Sequence, residues 1–216
     1  MVTVLDPIKT SKTAKRSVRE PAWGIATFYP LQGDWTEDDY LELERNIGNR
    51  LIELSDGCLE ILPMPDLYHQ RIVKMLCNRL DEFILPEKKG ETATAPLPVR
   101  LGSGKFREPD IGYFESHRIK DCRQPPDGAD LVVEVVSPGA ENRERDFVTK
   151  RREYAKARIR EYWIVDPETK TITVLTLSGK SYKVHGVFKE GDTAISKLLK
   201  GFQVAVSDVF AAGDAK

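Results

Sequence analysis

Long apolar runs are absent from this chain. Nothing approaches the roughly 18 consecutive apolar residues of a membrane-crossing helix, and the N-terminus lacks the contiguous apolar core of a signal peptide. Cysteine is scarce. Cys58, Cys77 and Cys122 are scattered and odd in number, which suits neither a disulfide framework nor a metal-binding spacing. Charge of one sign is lacking too. The formal net charge of −1 provides no global basic field, so contact with nucleic acid must use a local patch. No internal repeat or low-complexity linker stands out. The expectation is a soluble, cytoplasmic protein with reduced thiols and no membrane association.

What is present suits one domain with a tail. The chain has 216 residues, 40% hydrophobic and 31% charged, enough for a real core under a charged surface. Residues 1–22 hold Lys9, Lys12, Lys15, Arg16 and Arg19. They read as a basic, disordered tail, or as an arm lying on nucleic acid. Residues 23–216 read as a single domain.

Thr36 caps a short helix whose first turn is acidic. Residues 50–63 alternate around Asp56-Gly57, a hairpin signal. Residues 66–85 carry Leu67, Ile72, Val73, Leu76, Leu80, Phe83 and Ile84 at helical spacing. Residues 93–101 and 110–114 read as strands separated by a Gly-Ser-Gly turn, and 116–128 as a polar loop. Residues 129–136 are almost continuously apolar, the mark of a central strand covered on both faces. A charged helix over 141–156, a strand over 161–165 and a hairpin around Ser178-Gly179-Lys180 follow. The fold class is therefore α/β, a mixed sheet flanked by helices with additional N- and C-terminal hairpin strands.

Glu134 is the most telling residue. It stands inside Leu131-Val132-Val133-Glu134-Val135-Val136, where an ionised carboxylate costs several kcal/mol unless a cation or metal compensates. It reads as a metal ligand, or as a glutamate on a half-exposed face or paired with an arginine such as Arg100. Asp110 follows Glu108-Pro109 at the start of a strand, from which it could point into a cleft or simply serve a turn. Asp146, Lys150 and Tyr154 share a helix face at spacings of four. That helix leaves the strand holding Glu134, so Lys150 can reach back toward it or pair with Asp146 at the surface. Two carboxylates, a main-chain carbonyl and waters are the kind of set that Mg²⁺ or Mn²⁺ accepts. His69, Glu60 and Glu53 are weaker candidates. Residues 143–160 hold Arg143, Arg145, Lys150, Arg151, Arg152, Lys156, Arg158 and Arg160, of which Arg143, Arg151, Arg152 and Lys156 are the leading candidates for a nucleic-acid face; the alternative is a solvated helix face balanced by Glu141, Glu144, Asp146 and Glu153.

At these residues the chain resembles the PD-(D/E)XK nuclease superfamily and, within it, the Uma-two family of putative restriction endonucleases. The resemblance is carried by Asp56-Gly57, His69-Gln70, Ala95-Pro96-Leu97-Pro98-Val99-Arg100-Leu101, Glu108-Pro109-Asp110 and the valine run through Ser137-Pro138. It continues through Asp146, Lys150, Tyr154 and Glu161-Tyr162-Trp163-Ile164-Val165-Asp166-Pro167, covering roughly residues 35–210. It implies a restriction-endonuclease-like core, metal held by Asp110 and Glu134, Lys150 as the third catalytic residue, and a nucleic acid, with DNA the expectation, as substrate. Two positions depart from the pattern. The superfamily's lysine usually sits two residues after the glutamate, where this chain has Val136, so the match is to the form with lysine on the following helix. The family often ends that helix in glycine. Here the position is Arg158, where a left-handed cap would cost about 1 kcal/mol.

The leading reading is a metal-dependent endonuclease in which water attacks a phosphodiester and Lys150 supports the transition state. A catalytically silent binding or assembly module with the same fold, and a hydrolase of small phosphoesters, are the alternatives. A domain of this size has little surface for reading a long sequence, so a homodimer is expected.

Overall fold

The valine run sets the architecture. β-Branched residues with no polar alternation require cover on both faces, and Leu131–Val135 is buried throughout at the middle of a six-stranded sheet. The computed structural model describes residues 29–47 and 51–215. The reading of residues 1–22 as a tail lies outside them. The described residues from Gln32 onward form one compact unit.

In chain order the elements are α1 (Glu37–Ile47), β1 (Ile52–Ser55), β2 (Cys58–Ile61), α2 (Leu67–Ile84), β3 (Gly90–Thr94), β4 (Val99–Gly102), β5 (Lys105–Arg107) and β6 (Ile111–Glu115). Then come β7 (Leu131–Val135), α3 (Ala140–Glu144), α4 (Arg151–Lys156), β8 (Glu161–Asp166), β9 (Thr171–Ser178), β10 (Ser181–Lys189), β11 (Thr193–Ile195), β12 (Gln203–Ala205) and α5 (Val206–Asp214). A π-helical turn, Arg145–Lys150, joins α3 to α4.

The large sheet runs β10-β9-β8-β7-β6-β3. Only β7 and β8 pair in parallel within it, joined by the helical crossover, so the sheet is mixed. Leu131, Val133 and Val135 enter a core with α2 and α5. Val132 and Val136 enter a second core with Tyr154 of α4, on the opposite face. The N-terminal hairpin β1–β2 belongs to a separate four-stranded sheet, β2-β1-β5-β4, with its own small core of Trp35, Tyr40, Ile52, Leu54 and Phe106. Among the described residues no helix is long and apolar enough to cross a membrane.

Two expectations need correcting. Residues 93–101 are not one strand: Thr94 ends β3 in the large sheet and Val99 begins β4 in the small one. Pro96 and Pro98, which lack amide donors, lie between them and break the ladder. Leu67 is 64% exposed although it fits the helical pattern of α2, because it occupies the first turn beyond the reach of the core. The cap at Arg158 is retained despite its side chain. Its φ of 64° is left-handed, as a helix-ending glycine would be.

Candidate active site

Strand alternation decides where Glu134 points. With Val132 and Val136 facing α4, Glu134 faces the same way and meets the crossover helix from below. Lys150 Nζ donates to Glu134 Oε1 at 2.8 Å, and the Tyr154 hydroxyl donates to the same oxygen. Lys150 Nζ also lies 3.5 Å from Glu53 Oε1 and 3.9 Å from Asp146 Oδ1. The i→i+5 bonding of the π turn widens the helix here, and both Asp146 and Lys150 end up buried within that turn. The Arg100 pairing considered for Glu134 does not form. Arg100 pairs with Glu37 and Asp127 instead.

Asp110 lies just before β6, beside the C-terminal end of β7. Its Oδ2 accepts the Val135 N–H at 2.7 Å. The Nε2 of His69 is 3.1 Å from that oxygen and 3.1 Å from the Val135 carbonyl oxygen, so Asp110 and the Val135 carbonyl converge on one point. Asp66 places the histidine by capping α2, accepting the His69 N–H at 2.8 Å.

Asp110, Glu134, Asp146, Lys150 and His69 all line one cavity of about 510 Å³. Glu108 and Arg145 line it too; Arg145 belongs to the basic run over residues 143–160, whereas Glu108 was not expected as a site residue. Glu108 is 2% exposed, and neither of its carboxylate oxygens has a hydrogen-bond partner. Burial pushes it up to about 8, with Glu44 and Glu53 adding to the effect and Lys150 opposing it. Burial likewise raises Glu134, helped by Asp110, Asp146 and Glu53, against the pull of Lys150. Asp146 rises for the same cause. Burial would lower Lys150, but Glu134, Glu53 and Asp146 outweigh it and the shift is upward. For His69, burial also acts downward and Asp110 reverses it.

Glu53 is more central than its sequence suggested. It is fully buried, accepts the Glu108 N–H at 2.9 Å and takes Arg107 Nη1 at 2.7 Å. The argument that singled out Glu134, a bare glutamate among apolar neighbours, applies equally to Glu53 between Ile52 and Leu54. Glu60 is bound by Arg107 at 2.6 Å and does not line the cavity. Nor do Arg143, Arg151, Arg152 and Lys156. Arg143 pairs with Asp166 at 2.8 Å and Arg151 donates to the Tyr182 carbonyl, while Arg152 and Lys156 are exposed on α4.

A mixed sheet with an aspartate at one strand, a glutamate in the next and a lysine on the crossover helix defines a restriction-endonuclease-like protein. The Uma2 family model, described as putative restriction endonuclease, matches residues 37–207, and the chain belongs to that family. Among solved structures it is similar to a crystal structure of a putative nuclease belonging to DUF820 from Anabaena variabilis ATCC 29413. That likeness has a TM-score of 0.67 at 17% identity over 83% of this chain and 99% of the other, and speaks to the fold. No curated protein matches the sequence.

Proposed function

We propose that the protein is a divalent-metal-dependent endonuclease that hydrolyses phosphodiester bonds of nucleic acid, DNA being the expected substrate. The observation that carries this is the excess of buried acid facing the cavity. Glu108, Glu134 and Asp146 are all buried there with Asp110 beside them, against Lys150, Arg145 and His69 as the basic residues lining it. Carboxylates without compensating cations are costly to bury, and both oxygens of Glu108 and Oδ1 of Asp146 lack a hydrogen bond. Such a donor set fits Mg²⁺ or Mn²⁺.

Asp110, Glu134 and the Val135 carbonyl would hold the ion. Among the described residues no group of three or more His, Cys, Asp or Glu side chains is arranged to hold one; two carboxylates, a carbonyl and waters are a set that Mg²⁺ accepts. When bound, the ion supplies a Lewis acid for the phosphate and an activated water. Lys150 anchors Glu134 and presents an ammonium to charge developing on the phosphate. Tyr154 fixes the same carboxylate from the other side. His69 orients Asp110, and Asp146 holds Lys150 from within the helix.

A small phosphoester is the second reading, favoured by a cavity of about 510 Å³ that is short of cations for a polyanion. Calorimetry with Mn²⁺ on the wild type and Glu134→Gln, followed by incubation with plasmid DNA, with RNA and with a small phosphodiester, tests both. Binding lost in Glu134→Gln together with nicking of a polymer is the expected result. No Mn²⁺ binding by the wild type would overturn the catalytic reading and leave a silent binding module.

A further inference from the structure

The shortage of cations around the candidate active site raises the question of where a polyanion would be gripped. A second concavity, of about 650 Å³, lies at the other end of the central strands and is lined by Arg158, Arg160, Lys183, His185 and Lys197. Glu161 marks its level. It pairs with Leu131 at the beginning of β7, whereas Glu134 pairs with Ile164 three residues further along. That separation is about 10 Å along the strand.

The groove has no available carboxylate. Glu161, its acidic lining residue, is wholly buried and engaged by Trp163 Nε1, the Ser196 hydroxyl and the Lys197 and Leu198 amides at 2.6–2.9 Å. Arg160 is neutralised by Glu115 and Asp130. Among the described residues, Arg158, Lys183 and Lys197 have no ion-pair partner, and all three are exposed. Arg158 is nevertheless fixed, because its guanidinium donates to the Gly179 carbonyl in the β9–β10 turn.

The strand is also built for this surface. Lys183, Val184 and His185 are consecutive and all line the groove, which regular strand alternation forbids. A β-bulge between Val184 and Gly186 leaves His185 without a cross-strand partner and breaks the alternation there, while Lys183 and Val184 keep their register. Edge-strand lysines discourage strand addition, which accounts for Lys183 but not for Lys197 or Arg158, both outside β10.

We propose that this groove binds the sugar–phosphate backbone of a nucleic acid, separately from the acidic cavity at the other end of the sheet. The assignment rests on the nuclease reading for its choice of polyanion, but it needs no metal. The test is fluorescence anisotropy with a 20-base-pair DNA and a 20-nucleotide RNA in chelator, comparing the wild type with Lys183→Glu/Lys197→Glu. Lys74→Glu/Lys120→Glu makes the same charge change outside the groove. Expected are binding weakened on the order of tenfold in the groove variant alone, and a log–log salt slope shallower by about 2. Equal loss in both variants, unchanged binding in the groove variant, or binding to vesicles of anionic phospholipid in place of either polymer would overturn it. Lys183→Ala/Lys197→Ala, with its melting temperature checked, guards against a folding artefact. Mn²⁺ calorimetry on the same proteins, dialysed free of chelator, reports the active-site reading independently, so either proposal can fail while the other stands.

Discussion

Lys150 donates to Glu134 at 2.8 Å with both side chains almost wholly buried. The pair is asymmetric, because the lysine faces Glu53 and Asp146 as well. Lys150→Met would remove the one ammonium that all three carboxylates share and leave Glu134 only the Tyr154 hydroxyl, and breaking a buried pair in this way costs about 3–5 kcal/mol. Glu134→Gln leaves the lysine its other acids and removes a carboxylate already pushed toward neutrality, so it should cost less than half as much. Urea unfolding of the two variants measures the difference. A Lys150→Met protein as stable as Glu134→Gln would contradict the central role of the lysine.

Glu108 should make stability depend on pH in the unusual direction. An unfolded glutamate loses its proton near 4.5, whereas the folded Glu108 loses it near 8. Between those values the folded state holds the extra proton, so stability from this group falls as pH rises from about 4.5 to 8. Each unit of separation is worth about 1.4 kcal/mol. Glu108→Gln should therefore stabilise the protein by a few kcal/mol at pH 8 in chelator, and by nearly nothing at pH 4.5. Thermal melts across that range check it. A gain that is the same at both ends would mean the effect is packing and not charge.

Metal should register as stability. A ligand held only by the folded state at 100 times its Kd adds about 2.7 kcal/mol, worth roughly 5–10 °C in a domain of this size. Mn²⁺ is expected to raise the wild-type melting temperature by about that much, chelator to reverse the rise, and Asp110→Asn and Glu134→Gln to abolish it. A shift retained in both variants would place the ion elsewhere.

The sequence made the long-period features legible. The valine run announced a doubly covered strand, and Glu134 within it announced a compensating cation, because both follow from burial alone. Lys150 was readable from its helix but its exact reach was not, since the π turn at Arg145–Lys150 leaves no mark in a 3.6-residue pattern. The short strands were harder. Lys105–Arg107 has three residues and two of them are charged, so nothing in it looks like the middle of a sheet. Its burial depends on acids from β1, β2 and α4 that come together only in the folded chain. Glu108 inherits its depth from that strand, and the basic groove gathers Arg158, Lys183 and Lys197 from three separate segments that come together only in the folded chain.

Arg107 is the test of that hidden layer. It is fully buried, with Nη1 donating to Glu53 at 2.7 Å and to Glu60 at 2.6 Å. Nε and Nη2 grip the two oxygens of Glu153 at 2.7 and 3.0 Å. The guanidinium thus ties β1, β2 and α4 to β5, and it holds Glu53 against Lys150. Lysine keeps the charge but cannot serve three carboxylates with a planar fork. Arg107→Lys should therefore destabilise the protein by about 2–4 kcal/mol, as expected for a buried charge network left partly unpaired. Much of that cost should disappear when Glu153→Gln is added, because the lost bidentate contact is shared by both changes. A double-mutant cycle in urea gives the coupling directly. Strictly additive effects would show that Arg107 fills space at this junction and does not organise the acids behind the candidate active site.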